Sequence, residues 1–280
     1  MQFEFPFALG PDAGRYLIRE HLGEGPRHVL VVRVLGAPER RLLPRRRRRA
    51  RDAPPEPPPA AVATSRATLV DTLALGGAAE AEAWLRDADL DALAADACAR
   101  LNRVLHAHRI ATADHAAHEV ALEQALVVRV GFGDGERVAD GRWNRAREVA
   151  AAPERAALRP GRAALRPQER LAALLAGRDA ALACEELALR VRADLEAERW
   201  REAALQLGVA LDAALAELEP WREQAQLADR LDELRGRRET VRAVSAAALQ
   251  GGLHSGEIEV VRTVLRRLEA ALRARTARGL

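Results

Sequence analysis

The sequence predicts an α+β fold: a small antiparallel or mixed sheet with two covering helices, followed by an all-helical half that is a bundle or repeat-like. Three observations carry this reading. β-rich runs gather before residue 145, at 15–20, 28–35, 66–75 and 126–132. From about 166 onward, apolar residues recur at helical spacing with few interruptions. An arginine- and proline-rich stretch at 44–63 divides the first group of strands from the second.

RYLIRE at 15–20 and HVLVVRVL at 28–35 are separated by Gly23, Gly25 and Pro26, which predicts a hairpin with a longer loop in a first segment, 1–43. Two strands alone are barely stable, so this hairpin needs further partners. At 44–63 the chain reads PRRRRRARDAPPEPPPAAVA. Like charges repel and prolines fix φ, predicting a solvated, disordered linker of polyproline II character. The segment 64–149 then completes the sheet. RATLVDTLAL at 66–75 reads as a strand, followed by Gly76-Gly77 and a short helix at 78–86 containing Trp84. Leu90, Leu93, Ala97, Leu101, Val104 and His108 mark a helix at 90–110. A second hairpin is expected from 126–132 and 136–143, with Asp134-Gly135 at its turn.

A connector at 150–166, with AALRP at 156–160 and again at 163–167, leads into a helical domain at 167–280. Helices are expected at 167–177, 179–197, 200–218, 221–249 and 256–276. In the third, Trp200, Ala204, Leu207, Leu211, Ala214 and Leu218 fall on one face. In the last, Ile258, Val261, Leu265, Leu268 and Leu272 form a narrow stripe. Its acids Glu257 and Glu259 precede Arg266, Arg267, Arg273 and Arg275, the order the helix dipole favours.

With 280 residues, 49% apolar but only 3% aromatic, the core must be built from alanine, leucine and valine. All 44 basic residues are arginine, yet the formal charge is only +3, a weak bulk signal for a polyanionic partner. Cys98 and Cys184 each sit among apolar neighbours in a predicted helix, outside any CxxC pair, which fits buried thiols in a reducing, cytoplasmic setting. The first residues lack an apolar leader, and no run approaches the roughly 18 apolar residues of a membrane span.

No motif for chemistry stands out, and no catalytic residue, metal or cofactor is expected. His106, His108, His115 and His118 cluster beside Asp114 and Glu119. On a helix, however, His106 and His108 lie about 200° apart, and HAAHE at 115–119 matches neither helical zinc motif. GFGDG at 131–135 follows a strand, but a phosphate cradle needs a helix to open directly after it, and ERVADGRW reads as strand. Ser255 is expected to cap the last helix.

The helical hairpin at 180–218 resembles a single tetratricopeptide-type unit. In WREAALQLGVAL at 200–211, Trp200 takes the aromatic position opening the second helix, Ala203 and Ala210 the small positions and Leu207 the large apolar one. Val191 stands at the usual glycine, Asp194 at the usual aromatic, and Pro220 comes several residues late. The resemblance implies peptide binding on a concave face built from several stacked units.

The expected function is therefore that of a non-enzymatic interaction or scaffold protein acting through its helical half. Its anchors would be Trp200, Leu207, Leu211, Ile258, Leu265, Leu268 and Leu272, and its partner another protein or a second copy of the chain. The alternative is a nucleic-acid-binding accessory protein whose Arg45, Arg46, Arg47, Arg48, Arg49 and Arg51 contact phosphates. No aromatic residues interleave there to stack on bases, and Asp52 and Glu56 follow. Arg51, Pro54 and Pro57 also fit the RxxPxxP pattern of a proline-rich ligand.

Overall fold

A computed structural model describes residues 1–19, 25–36, 64–149, 166–223 and 227–276. The linker expected at 44–63 lies outside them. The chain divides into two compact units, Met1–Leu158 and Arg159–Leu280.

Among the described residues the first unit holds six strands: β1 (Gln2–Phe5), β2 (Gly14–Ile18), β3 (His28–Leu35), β4 (Thr64–Asp71), β5 (Val127–Phe132) and β6 (Arg145–Glu148). They form one sheet in the order β2-β3-β4-β1-β5-β6, antiparallel at every pairing. One strand that sequence reasoning missed, β1, is thus an interior one. QFEF is only four residues long, but its alternation is complete, and its phenylalanines Phe3 and Phe5 are wholly buried. The register sets Phe3 opposite both Ala67 and Val128, so a small residue on β4 makes room for a large one on β1.

Helices α1 (Ala78–Asp87) and α2 (Leu90–Thr112) cover this face. Ala94, Ala97, Cys98, Leu101 and Leu105 of α2 pack with Phe3, Phe5, Leu30, Val32, Ala67, Leu69 and Val128. At about 1.5–3 kcal/mol per large apolar side chain removed from water, this shared surface is what holds the helices to the sheet. Asp89 caps α2 by accepting from the Ala92 N–H (3.0 Å). Asn102 clamps the chain beyond α2, exchanging two hydrogen bonds with the backbone of Val120 (2.8 and 2.9 Å).

The expected strand at 136–143 is corrected. A short helix, α3 (Gly135–Ala139), stands there, and the partner of β5 is β6, with Phe132 opposite Arg145. Tertiary burial overrides the strand-like spelling, since Val138 and Ala139 turn inward. Glu136 and Asp140 meet Arg15 of β2 (2.6 Å) and Arg33 of β3 (3.4 Å). Gly141 makes this approach possible. Its φ is +74°, and a Cβ there would come within 2.4 Å of Gln2 Nε2.

The second unit is helical: α4 (Arg166–Leu175), α5 (Ala183–Glu196), α6 (Trp200–Glu217), α7 (Leu227–Gly236), α8 (Arg238–Gln250) and α9 (Ser255–Thr276). The helix expected at 221–249 is broken in two. Gly236 ends α7, and Arg237 turns the chain before α8 begins. A break at this low-propensity residue lets Leu231 and Leu234 on one side, and Val241 and Val244 on the other, all reach the core. Helix α6 packs against α5, α7, α8 and α9. It meets α8 closely at Gly208, where a Cβ would lie 3.1 Å from Ser245 Oγ, and Ser245 itself donates to the Ala204 carbonyl (3.0 Å).

Polar contacts close both ends of the α5–α6 hairpin. At the turn, Asp194 accepts from Arg199 Nε (2.6 Å) and from Gln206. At the open end, Glu217 accepts from the Ala183 and Cys184 N–H groups (3.2 and 2.9 Å), satisfying donors that the first turn of α5 leaves free. Burial opposes ionisation of Glu217, but these N–H groups and the Cys184 thiol hold its carboxyl below the usual range. Ser255 is the first helical residue of α9 rather than its cap. Glu257, inside the first turn, reaches back to accept from the His254 N–H just before the helix (2.8 Å).

Candidate functional site

Antiparallel pairing brings the start of β1, the start of β3 and the ends of β4 and β5 to the same end of the first unit's sheet. There the structure forms an open cleft of about 1030 Å³, lined by parts of α1, α2 and the Gly133–Gly135 turn as well. The segment following β4 contributes Leu73 and Leu75, 62% and 40% exposed, and α1 contributes Trp84, 36% exposed. Trp143 also lines it. Its indole N–H is covered and meets no acceptor among the described residues.

The polar part of the lining is a chain of contacts. Asp96 accepts from Arg100 Nε (2.9 Å), Arg100 approaches His28 Nδ1 (3.4 Å), and His28 Nε2 lies 3.8 Å from Asp71. His28 is nearly covered. Burial pushes the Met1 amine down to about 5 against the opposing pull of Asp71, leaving it uncharged at neutral pH. None of these residues stood out in the sequence, because the elements that carry them are far apart along the chain.

The residues that did stand out are placed elsewhere. Leu207, Leu211, Leu265 and Leu268 are at most 1% exposed and fill the core of the second unit. Trp200, Ile258 and Leu272 are half-buried, Trp200 beneath the Arg262 guanidinium at 5.1 Å. Val261, Leu265 and Leu268 of the α9 stripe are therefore spent inside their own unit, while Ile258 and Leu272 at its ends stay half-buried. Arg45, Arg46, Arg47, Arg48, Arg49 and Arg51 lie outside the described residues.

The histidines stay apart. His106 reaches Glu119 at 4.0 Å and His108 packs beside Gly10, while His115 and His118 are exposed. Among the described residues no three of His, Cys, Asp and Glu converge as metal ligands. The turn at 131–135 does lead into a helix, contrary to the expected strand, but α3 has only five residues. No described helix is long and apolar enough to cross a membrane.

Both cysteines are buried thiols. Burial, with smaller contributions from Glu123 and Glu119, pushes Cys98 up to about 11. Burial and donation to Glu217 push Cys184 up to about 12. Neither is poised as a nucleophile.

Comparison with protein-family models, with curated proteins and with solved structures found no match to this chain.

Proposed function

We propose that the chain is a non-enzymatic interaction or scaffold protein, and that it binds its partner in the cleft at the strand ends of the first unit. One observation carries this reading: Leu73, Leu75 and Trp84 stand exposed around a single concavity. Apolar side chains scattered singly on a surface need no explanation, but several gathered in one hollow are the usual lining of a binding site. The helical unit, in which four of the expected anchors, Leu207, Leu211, Leu265 and Leu268, are buried in its own core, serves as the scaffold.

Display of a random peptide library on the full-length chain tests this, with clones counter-selected on Trp84→Ala and Leu75→Asp variants. Binders that depend on both side chains are the expected result. A selection yielding only binders indifferent to them would sink the reading.

A nucleic-acid reading is favoured only by the six arginines at 45–49 and 51. The arginines on the sheet's second face do not add to it, since Arg15, Arg33, Arg66 and Arg129 each meet a carboxylate. Its test is duplex binding as a function of salt, with the six arginines replaced by alanine. An unchanged salt slope removes it.

A further inference from the structure

The charges that line the cleft do not cancel. Asp96 and Arg100 neutralise each other, which leaves Asp71, close to the Met1 amine, and Asp134. Asp71 accepts from the Leu73 N–H (2.9 Å) and faces His28, and Asp134 accepts from the Asn144 amide (2.9 Å). Among the described residues neither carboxylate meets an arginine. The contrast with the second face of the same sheet is direct, because there the arginines and carboxylates are matched one to one.

The same cleft is lined by Trp84 and Trp143, two of the four tryptophans in the chain. Aromatic faces next to unmatched carboxylates suit a cation on an aliphatic stem: the ring face attracts the charge and the ring covers the methylenes. The chain as a whole carries a net +3, so bulk attraction for a cation is absent and any such binding is local.

We infer that the cleft receives an arginine or lysine side chain of a partner peptide, its cation drawn by the Asp71 and Asp134 carboxylates of the lining and its stem against Trp84. This rests on the cleft being the binding site, and adds the chemistry of what enters it.

The test uses the full chain and fluorescein-labelled pentapeptides with a Leu-Arg-Leu core, compared with the same peptides carrying citrulline, which keeps the shape and removes the charge. The arginine peptide is expected to bind at least tenfold more tightly than its citrulline twin. Asp71→Asn and Asp134→Asn should each cost it up to about fivefold, in line with partly exposed charge pairs. Trp84→Ala should weaken both peptides. Equal binding of the two peptides, still lost in Trp84→Ala, overturns the cationic preference and leaves the cleft as a binding site. Binding of neither, when displayed peptides of other composition do bind there, overturns the inference alone. Failure of every Trp84-dependent binder overturns both. Free arginine amide binding as tightly as the pentapeptide would show a small-molecule site instead, and would overturn the peptide assignment.

Discussion

In the first unit a six-stranded sheet is covered on one face by two helices, and the end where four strands start or stop stays open, with Leu73, Leu75 and Trp84 around it. In the second unit α6 is enclosed by its neighbours, and the large apolar side chains left outside, Leu171, Leu175, Leu189, Val209 and Leu249, are spread over four helices, with only Leu171 and Leu175 sharing one. The difference follows from geometry. A helix can turn its apolar stripe toward another helix at any point along its length, so a bundle can spend nearly all of it. A sheet buries faces, and its strand ends must be finished by loops, which here leave a hollow. Regular apolar spacing thus marked where this protein is held together, and the irregular segments between strands mark where it has surface to offer.

The largest effect that can break this contrast lies in the bundle. Leu207→Ala removes a fully covered side chain from the middle of α6 and should cost about 2–5 kcal/mol in urea denaturation. A loss under about 1 kcal/mol would mean that α6 is not the enclosed core of its unit.

Next comes the ion-pair cluster where α9 meets the start of α5. Arg275, 7% exposed, reaches Asp179 (2.8 Å) and Glu185 (3.4 Å) and lies 4.7 Å over the Trp221 ring. Arg275→Ala leaves two largely covered carboxylates with Arg170 alone, and should cost about 2 kcal/mol, below the usual range for a broken buried pair because Arg170 remains. Burial works against ionising Asp179, but the Ala180 N–H, Arg170 and Arg275 together hold its carboxyl below the ordinary value. Its contribution is therefore present above the ordinary carboxylate range and is lost as pH falls through the lowered value. The cost of Arg275→Ala should accordingly shrink in acid, and a cost independent of pH would assign it to the Trp221 contact instead.

How much of this could be read from the sequence follows the same division. Helix α6, the α5–α6 hairpin and the α2 face were legible because 3.6-residue spacing is written in consecutive residues. β1 was not legible, because four residues give too short an alternation. α3 was not either, because what decides it is Val138 and Ala139 finding cover on a sheet assembled from strands more than sixty residues apart. The cleft was illegible for that reason too. His28, Asp71, Arg100 and Trp143 come from four separate stretches, and only the antiparallel order brings them to one place. The α9 stripe was seen correctly as needing shelter, but spacing alone does not say whether the shelter is intramolecular.

The thiols allow a gentler comparison of the two units. Both are raised well above the ordinary thiol value, so both favour the protonated form in the folded protein. The stability they contribute is complete below the ordinary thiol pKa of about 8.5 and is lost as pH climbs toward about 11 for Cys98 and about 12 for Cys184. Iodoacetamide at pH 8 should label neither at the rate of a free thiol. As pH rises Cys98 should react first, and the reverse order would place the looser packing in the bundle.

The smallest effect on stability sharpens the contrast most. Trp84→Ala and Leu75→Asp change side chains that are already partly in water, so each should lower the unfolding free energy in urea by only about 1 kcal/mol. Leu249→Asp, at 69% exposure on α8, should be equally mild. If exposure alone made a binding surface, all three would behave alike toward a displayed peptide. The concavity says otherwise: the two cleft variants should lose at least tenfold in affinity, while Leu249→Asp leaves it unchanged. Equal losses from all three would show that the hollow confers nothing beyond exposed hydrocarbon.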